Sequence, residues 1–138
     1  MEDVCAVPWK ILFPQTVFAR QINPEGDVTK ITNSGGTLWI LGLKTELTGT
    51  NIDTENQGQT ELIGALIYPV RPVPVDIPAF TISNSKASFS YVTSDYSGPA
   101  GDYNIQVSET NSGTTQDLPS TDLRPRGEGI KMPLYTSE

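Results

Sequence analysis

The sequence predicts an all-β protein, a single-stranded parallel β-helix (solenoid) of about four coils with a capping segment at each end. Composition is the first ground. Apolar residues make up 36% and charged residues 18% of the 138, and the shortfall is filled by Thr, Ser, Asn, Gln, Gly and Pro. That mixture suits short strands joined by turns, and the modest content of Ala, Leu, Lys and Glu argues against helices. The second ground is a recurring asparagine: NSGGT (Asn33–Thr37), NQGQT (Asn56–Thr60), NSKAS (Asn84–Ser88) and NSGTT (Asn111–Thr115), each with a hydroxyl residue four positions on. The Asn-to-Asn spacings of 23, 28 and 27 residues suit coils with loops of unequal length. The third is period two before each Asn. Thr29 and Ile31, Ile52 and Thr54, Phe80 and Ile82, and Val107 and Glu109 alternate with Lys30 and Thr32, Asp53 and Glu55, Thr81 and Ser83, and Ser108 and Thr110. The second set is uniformly polar and is expected to face outward.

In chain order, residues 1–15 carry Pro8 and Pro14 around WKILF and form a lead-in strand or a flap over the first coil, since a stacked sheet needs its end covered. The coils occupy 16–119. TVFARQI (Thr16–Ile22) is the first strand, with Val17, Ala19 and Gln21 on one side and Phe18, Arg20 and Ile22 on the other. Asn33, Asn56, Asn84 and Asn111 are expected at the corners, because Asn tolerates the left-handed region and its amide can bond backbone nearby or an Asn one coil away, the latter forming a ladder. TLWILGL after the first corner is apolar on both faces, so its outer side needs a cover, either the N-terminal segment or a partner chain. TELIGALIY is similar, SFSYVTS is half polar and TTQDLPS is hardly a strand. YPVRPVPVDIPAF leaves the sheet, since its prolines remove ladder donors. SDYSGPAGDY is a second loop. Residues 120–138 form a tail or cap that could fold over the last coil.

The net charge of −7 argues against a nucleic-acid partner, because phosphate binding needs a basic surface. A single Cys5 excludes an internal disulfide, and the absence of histidine removes the commonest general base and zinc ligand. No apolar run approaches the roughly 20 residues of a membrane helix. The first residues lack the basic start and apolar core of a signal peptide, so the chain is expected either to stay where it is made or to be an excerpt of something longer.

TVFARQINPEG, ITNSGGTLWILGLKTELTGT, IDTENQGQTELIGALIYPV and LRPRGEG with MPLY resemble the C-terminal portion of pectate-lyase-like, right-handed parallel β-helix proteins, over about residues 16–135. The resemblance implies right-handed winding and an extracellular or cell-surface setting. In the active members a cleft runs along the outer face of a longer helix, and none of their catalytic residues falls on a matching position here. It therefore implies scaffold without an intact catalytic site.

Among the residues themselves, no nucleophile elbow, phosphate loop or metal-spaced Cys/His set is present, and no catalytic residue is assigned. Asp53, Glu55 and Glu61 are expected on one outward face with Lys30 and Lys44 a coil away. Asp53 and Glu55 are the candidate metal ligands, hard oxygens suited to calcium, against the plain alternative of a solvated polar face. Trp39, Tyr68, Tyr91, Tyr96 and Tyr103 could form a sugar-stacking platform, with Trp39 expected in the core. Tyr68 and Arg71, at the root of the proline-rich loop, are the candidate substrate-binding residues for a polysaccharide. The predicted function is a non-catalytic structural or carbohydrate-associated module of a larger assembly or surface protein. The alternatives are a polysaccharide lyase or glycoside hydrolase with a site completed elsewhere, and a homo-oligomeric fibre or phage-type module.

Overall fold

Short strands and long strands alternate along the chain, and each kind goes to its own sheet. The computed structural model describes every residue except 96, 97, 99, 100, 128 and 138. Strands β1 (Trp9–Ile11), β3 (Ile31–Ser34), β5 (Ile52–Glu55), β7 (Pro78–Ser83) and β9 (Ile105–Asn111) lie side by side in the first sheet. Strands β2 (Thr16–Ile22), β4 (Thr37–Thr45), β6 (Gln59–Ile67) and β8 (Lys86–Ser94) form the second. Every pairing among them is parallel. Antiparallel strands then join both sheets, so both are mixed. β10 (Thr114–Pro119) folds back on β9, β12 (Ile130–Lys131) and β13 (Leu134–Thr136) add to β8, and β11 (Pro125–Gly127) adds to β12. Helical structure among the described residues with a named span is one 3-10 turn, Ser120–Asp122.

The core is built from columns of like residues in register. Ile31, Ile52, Phe80 and Val107 stack in the first sheet, and Ala19, Ile40, Leu62 and Phe89 face them from the second. All are buried. Phe80 and Phe89 bridge the sheets with ring centres 4.3 Å apart, a stacked contact worth about 1 kcal/mol beyond its area. A left-handed residue recurs at one level of three neighbouring strands: Gln21 (φ 52°), Gly42 (φ 83°) and Gly64 (φ 72°). This extra residue turns Ile22 inward beside Ala19, opposite to the alternation expected for TVFARQI. β8 lacks it, and the β6–β8 register shifts between Ile63 and Leu66.

The corners differ from the expected pattern at the first coil. Asn33 pairs with Thr54, not Asn56, so it lies inside β3 and Gly35 (φ 81°) takes the left-handed position of that turn. Asn56 (φ 55°) and Asn84 (φ 44°) do occupy left-handed positions. Asn111 ends β9, and Ser112 (φ 51°) with Gly113 (φ 81°) make the turn. Two consecutive left-handed residues suit a tight hairpin, and TTQDLPS returns antiparallel along β9. The amides do not form a ladder with one another. Asn56 Nδ2 donates to Ser34 Oγ at 2.7 Å, and Asn84 Oδ1 accepts from the Ser112 amide at 2.9 Å.

Asn33 has a different task. Fully buried, its Nδ2 lies within 3.1 Å of the Gly36 and Gln59 carbonyls and Thr60 Oγ1, and its Oδ1 accepts from the Gly36 amide. A Cβ at Gly36 would stand 2.8 Å from that same Oδ1, so the glycine is needed for this close approach.

Candidate functional site

The outward faces of the two sheets have opposite character. On the first sheet the outward rows are Thr32, Asp53, Thr81 and Ser108, and Ser34 with Glu55 beside Ser83 and Thr110. On the second, Phe18, Trp39, Glu61 and Ser88 form one row across β2, β4, β6 and β8, and Arg20, Leu41, Ile63 and Ser90 the next. Phe18, Trp39, Leu41 and Ile63 are 65%, 43%, 59% and 45% exposed. The Phe18 and Trp39 rings lie 6.4 Å apart. Together with Met1 and Arg20 these four line a shallow depression of about 530 Å³, and Gln59, Glu61, Lys86 and Thr136 line a second one on the far side of Trp39.

Trp39 is thus a surface residue and not part of the core. The inward positions of TLWILGL are Leu38 and Ile40, both buried, and strict alternation sends Trp39 and Leu41 the other way. The N-terminal segment does not cover them. Its backbone runs along the β2 edge, with the Met1 ammonium donating to the Phe18 carbonyl at 2.7 Å and the Arg20 amide to the Met1 carbonyl at 3.0 Å. Only the Met1 side chain and Glu2, which pairs with Arg20, reach the rim.

The other candidate residues are dispersed. Asp53 and Glu55 project from the first sheet and Glu61 from the second, because the turn at Asn56–Gly58 carries the chain between sheets. They do not share a face. Asp53 Oδ1 accepts from Thr81 Oγ1 at 2.6 Å. Burial pushes its carboxyl above the usual range, Thr81 opposes this, and the charge of Glu55 adds to it. Among the described residues no group of three or more Cys, Asp or Glu side chains is placed to hold a metal. Lys30, expected outward, is fully buried: its Nζ donates to the Leu47 carbonyl at 2.7 Å and Asn51 Oδ1 at 2.8 Å. Loss of hydration brings its pKa down to about 8, against the raising influence of Glu25 and Asp27.

Tyr68 and Arg71 are engaged in separate polar contacts on the connections that leave the second sheet. Tyr68 donates to Glu46 Oε1 at 2.6 Å, and Lys44 pairs with Glu46 and sits 5.3 Å from the centre of the Tyr68 ring. Hydrogen bonding to Lys44 and then to Tyr68 holds the Glu46 carboxyl low, and the same bond raises the phenol. Arg71 pairs with Asp27, whose carboxyl is lowered first by Thr48, with burial opposing and Arg71 assisting. Tyr91 and Tyr103 are buried, donating to Gln106 Oε1 at 3.0 Å and to the Gly49 carbonyl at 2.6 Å. Burial pushes both phenols up. They cannot contribute to a surface platform, and Tyr96 lies outside the described residues.

One constellation has no sequence signal. Asp102, buried, accepts from Thr93, Gln106 and its neighbour's amide through Oδ1, and from Ser120 Oγ at 2.7 Å and Lys131 through Oδ2. Burial opposes ionisation, yet the Lys131 and Ser120 bonds hold the carboxyl below its ordinary value. Lys131 Nζ also donates to Ser120 Oγ at 2.7 Å. With the amine donating to both and the hydroxyl donating to the carboxylate, the group ties the C-terminal strands to the body.

No family model, curated protein or solved structure matches the chain.

Proposed function

We propose that this chain is a non-catalytic structural module, a short right-handed parallel β-helix of the pectate-lyase-like type, and that the outer face of its second sheet packs against protein in an assembly. The observation that carries the functional reading is the contrast between the two outward faces: one is uniformly polar, the other presents Phe18, Trp39, Leu41 and Ile63. A contiguous apolar patch with a polar rim is characteristic of protein contact. Supporting the helix are the regular alternation of strands between the sheets and their parallel, in-register pairing, and crossovers between parallel strands are right-handed almost without exception.

The enzyme reading separates from this one by assay. Incubation with polygalacturonate or alginate, with and without calcium, is expected to give no unsaturated-product absorbance. Product formation that is lost on Arg71→Ala or Asp53→Asn would replace the structural reading with a lyase. A glycan reading of the same face draws on the Phe18–Trp39 pair, since aromatic rings stack on sugars. It accounts less well for the aliphatic Leu41 and Ile63, which gain from a dry protein contact.

A further inference from the structure

The outward rows of β2, β4 and β6 carry two charges, and their placement selects an occupant. Glu61 stands at one corner of the block formed by β2, β4 and β6, in the row of Phe18 and Trp39. Arg20 stands at the diagonally opposite corner, in the row of Leu41 and Ile63. Glu61 makes no ion pair or side-chain hydrogen bond among the described residues. Arg20 is held only by Glu2, and both of those side chains are about half exposed to water, so exchanging that partner costs little.

We infer that the second sheet packs face to face on a second copy of this chain, about a two-fold axis lying in the plane of the face and crossing β4 between Trp39 and Leu41. The inference rests on the reading of this face as an assembly surface. An axis perpendicular to the Arg20-to-Glu61 diagonal exchanges the two charged corners. It sets Arg20 of each copy against Glu61 of the other and brings Phe18, Trp39, Leu41 and Ile63 into one shared apolar layer. A two-fold contact must be self-complementary, and opposite charges at diagonal corners of an apolar centre satisfy that requirement twice over. The ion pairs sit at the rim, where they fix orientation more than affinity. The face also extends toward the C-terminal strands, where Leu134, 78% exposed, continues the Arg20–Leu41–Ile63–Ser90 row.

The test is light scattering on the intact chain across a concentration series, with circular dichroism confirming that each variant keeps its strand spectrum. The wild type is expected at twice the 15.0 kDa of one chain. Arg20→Glu and Glu61→Arg should each weaken the dimer about tenfold or more, and the Arg20→Glu/Glu61→Arg pair should restore it to within about threefold. Trp39→Glu should give monomer. A wild type that stays at 15.0 kDa throughout, or a dimer indifferent to Trp39→Glu, overturns the inference. A dimer broken by Trp39→Glu but indifferent to both charge changes overturns the two-fold arrangement. None of these results produces lyase activity, so the non-catalytic reading fails only in its own assay.

Discussion

Lys30 and Asn33 are three residues apart in sequence and both fully buried, yet their side chains meet different demands. Asn33 satisfies backbone groups of the first turn and of the rung beyond it, through Gly36 and Gln59. Lys30 brings a charge inside and among the described residues donates to neutral acceptors, the Leu47 carbonyl and Asn51 Oδ1. Its folded pKa of about 8 lies below its ordinary 10.5. Between those values the unfolded chain binds more protons than the folded one, so stability rises with pH there. The contribution is on the order of 3 kcal/mol, gained between about pH 8 and 10.5. Denaturant unfolding of wild type and Lys30→Met at successive pH values should show the difference between them growing in favour of wild type across that window. A difference that stays constant would contradict a buried amine. Neither role was legible in the residues alone. Lys30 falls at a polar position of the alternation when the repeat is aligned on its asparagines, and that alignment is two residues out of register at the first coil. Asn33 and Asn56 occupy the same place in the repeat, and what separates them is that Gly35 takes the left-handed position after Asn33 while Asn56 takes it itself.

At the level of elements, periodicity was enough to place the strands before the asparagines and the apolar strands after them. The bulge at Gln21, Gly42 and Gly64 was not readable, since a single left-handed residue leaves no mark on an apolar run, and it reverses the side to which Ile22 points. The C-terminal strands were even less readable. Their attachment depends on Asp102, whose partners Ser120 and Lys131 lie 18 and 29 residues away. Asp102→Ala should cost about 3 kcal/mol, because it leaves the largely buried Lys131 amine without its carboxylate. Amide exchange should accelerate first in β12 and β13. Because the Asp102 carboxyl is held low, this stabilisation is complete above the ordinary aspartate range, near pH 3.9, and is lost as pH falls below it. Uniform exchange across the whole chain in the variant would show that the cap is not separately fastened.

For the molecule as a whole, two sheets enclose one core while their outer faces differ. TLWILGL, apolar on both sides, pointed in the sequence to a cover, either the N-terminal segment or a partner chain, but Trp39 was expected in the core; the structure buries Leu38 and Ile40 and turns Trp39 and Leu41 outward. The companion row could not be read so directly, because Phe18 and Ile63 join Trp39 and Leu41 only through strand register. Of the acidic residues expected on one face, Asp53 and Glu55 stand together on β5 while Glu61 goes to the other sheet, and Tyr68 and Arg71 each meet an acidic partner, Glu46 and Asp27. Covering of the apolar face is the central claim, and Trp39 reports on it. In a Trp9→Phe background, Trp39 is the only tryptophan, and its quenching by acrylamide can be followed over a concentration series. The account predicts that quenching falls as concentration rises and that Arg20→Glu restores it. A Trp39 equally open to quencher at every concentration would contradict it.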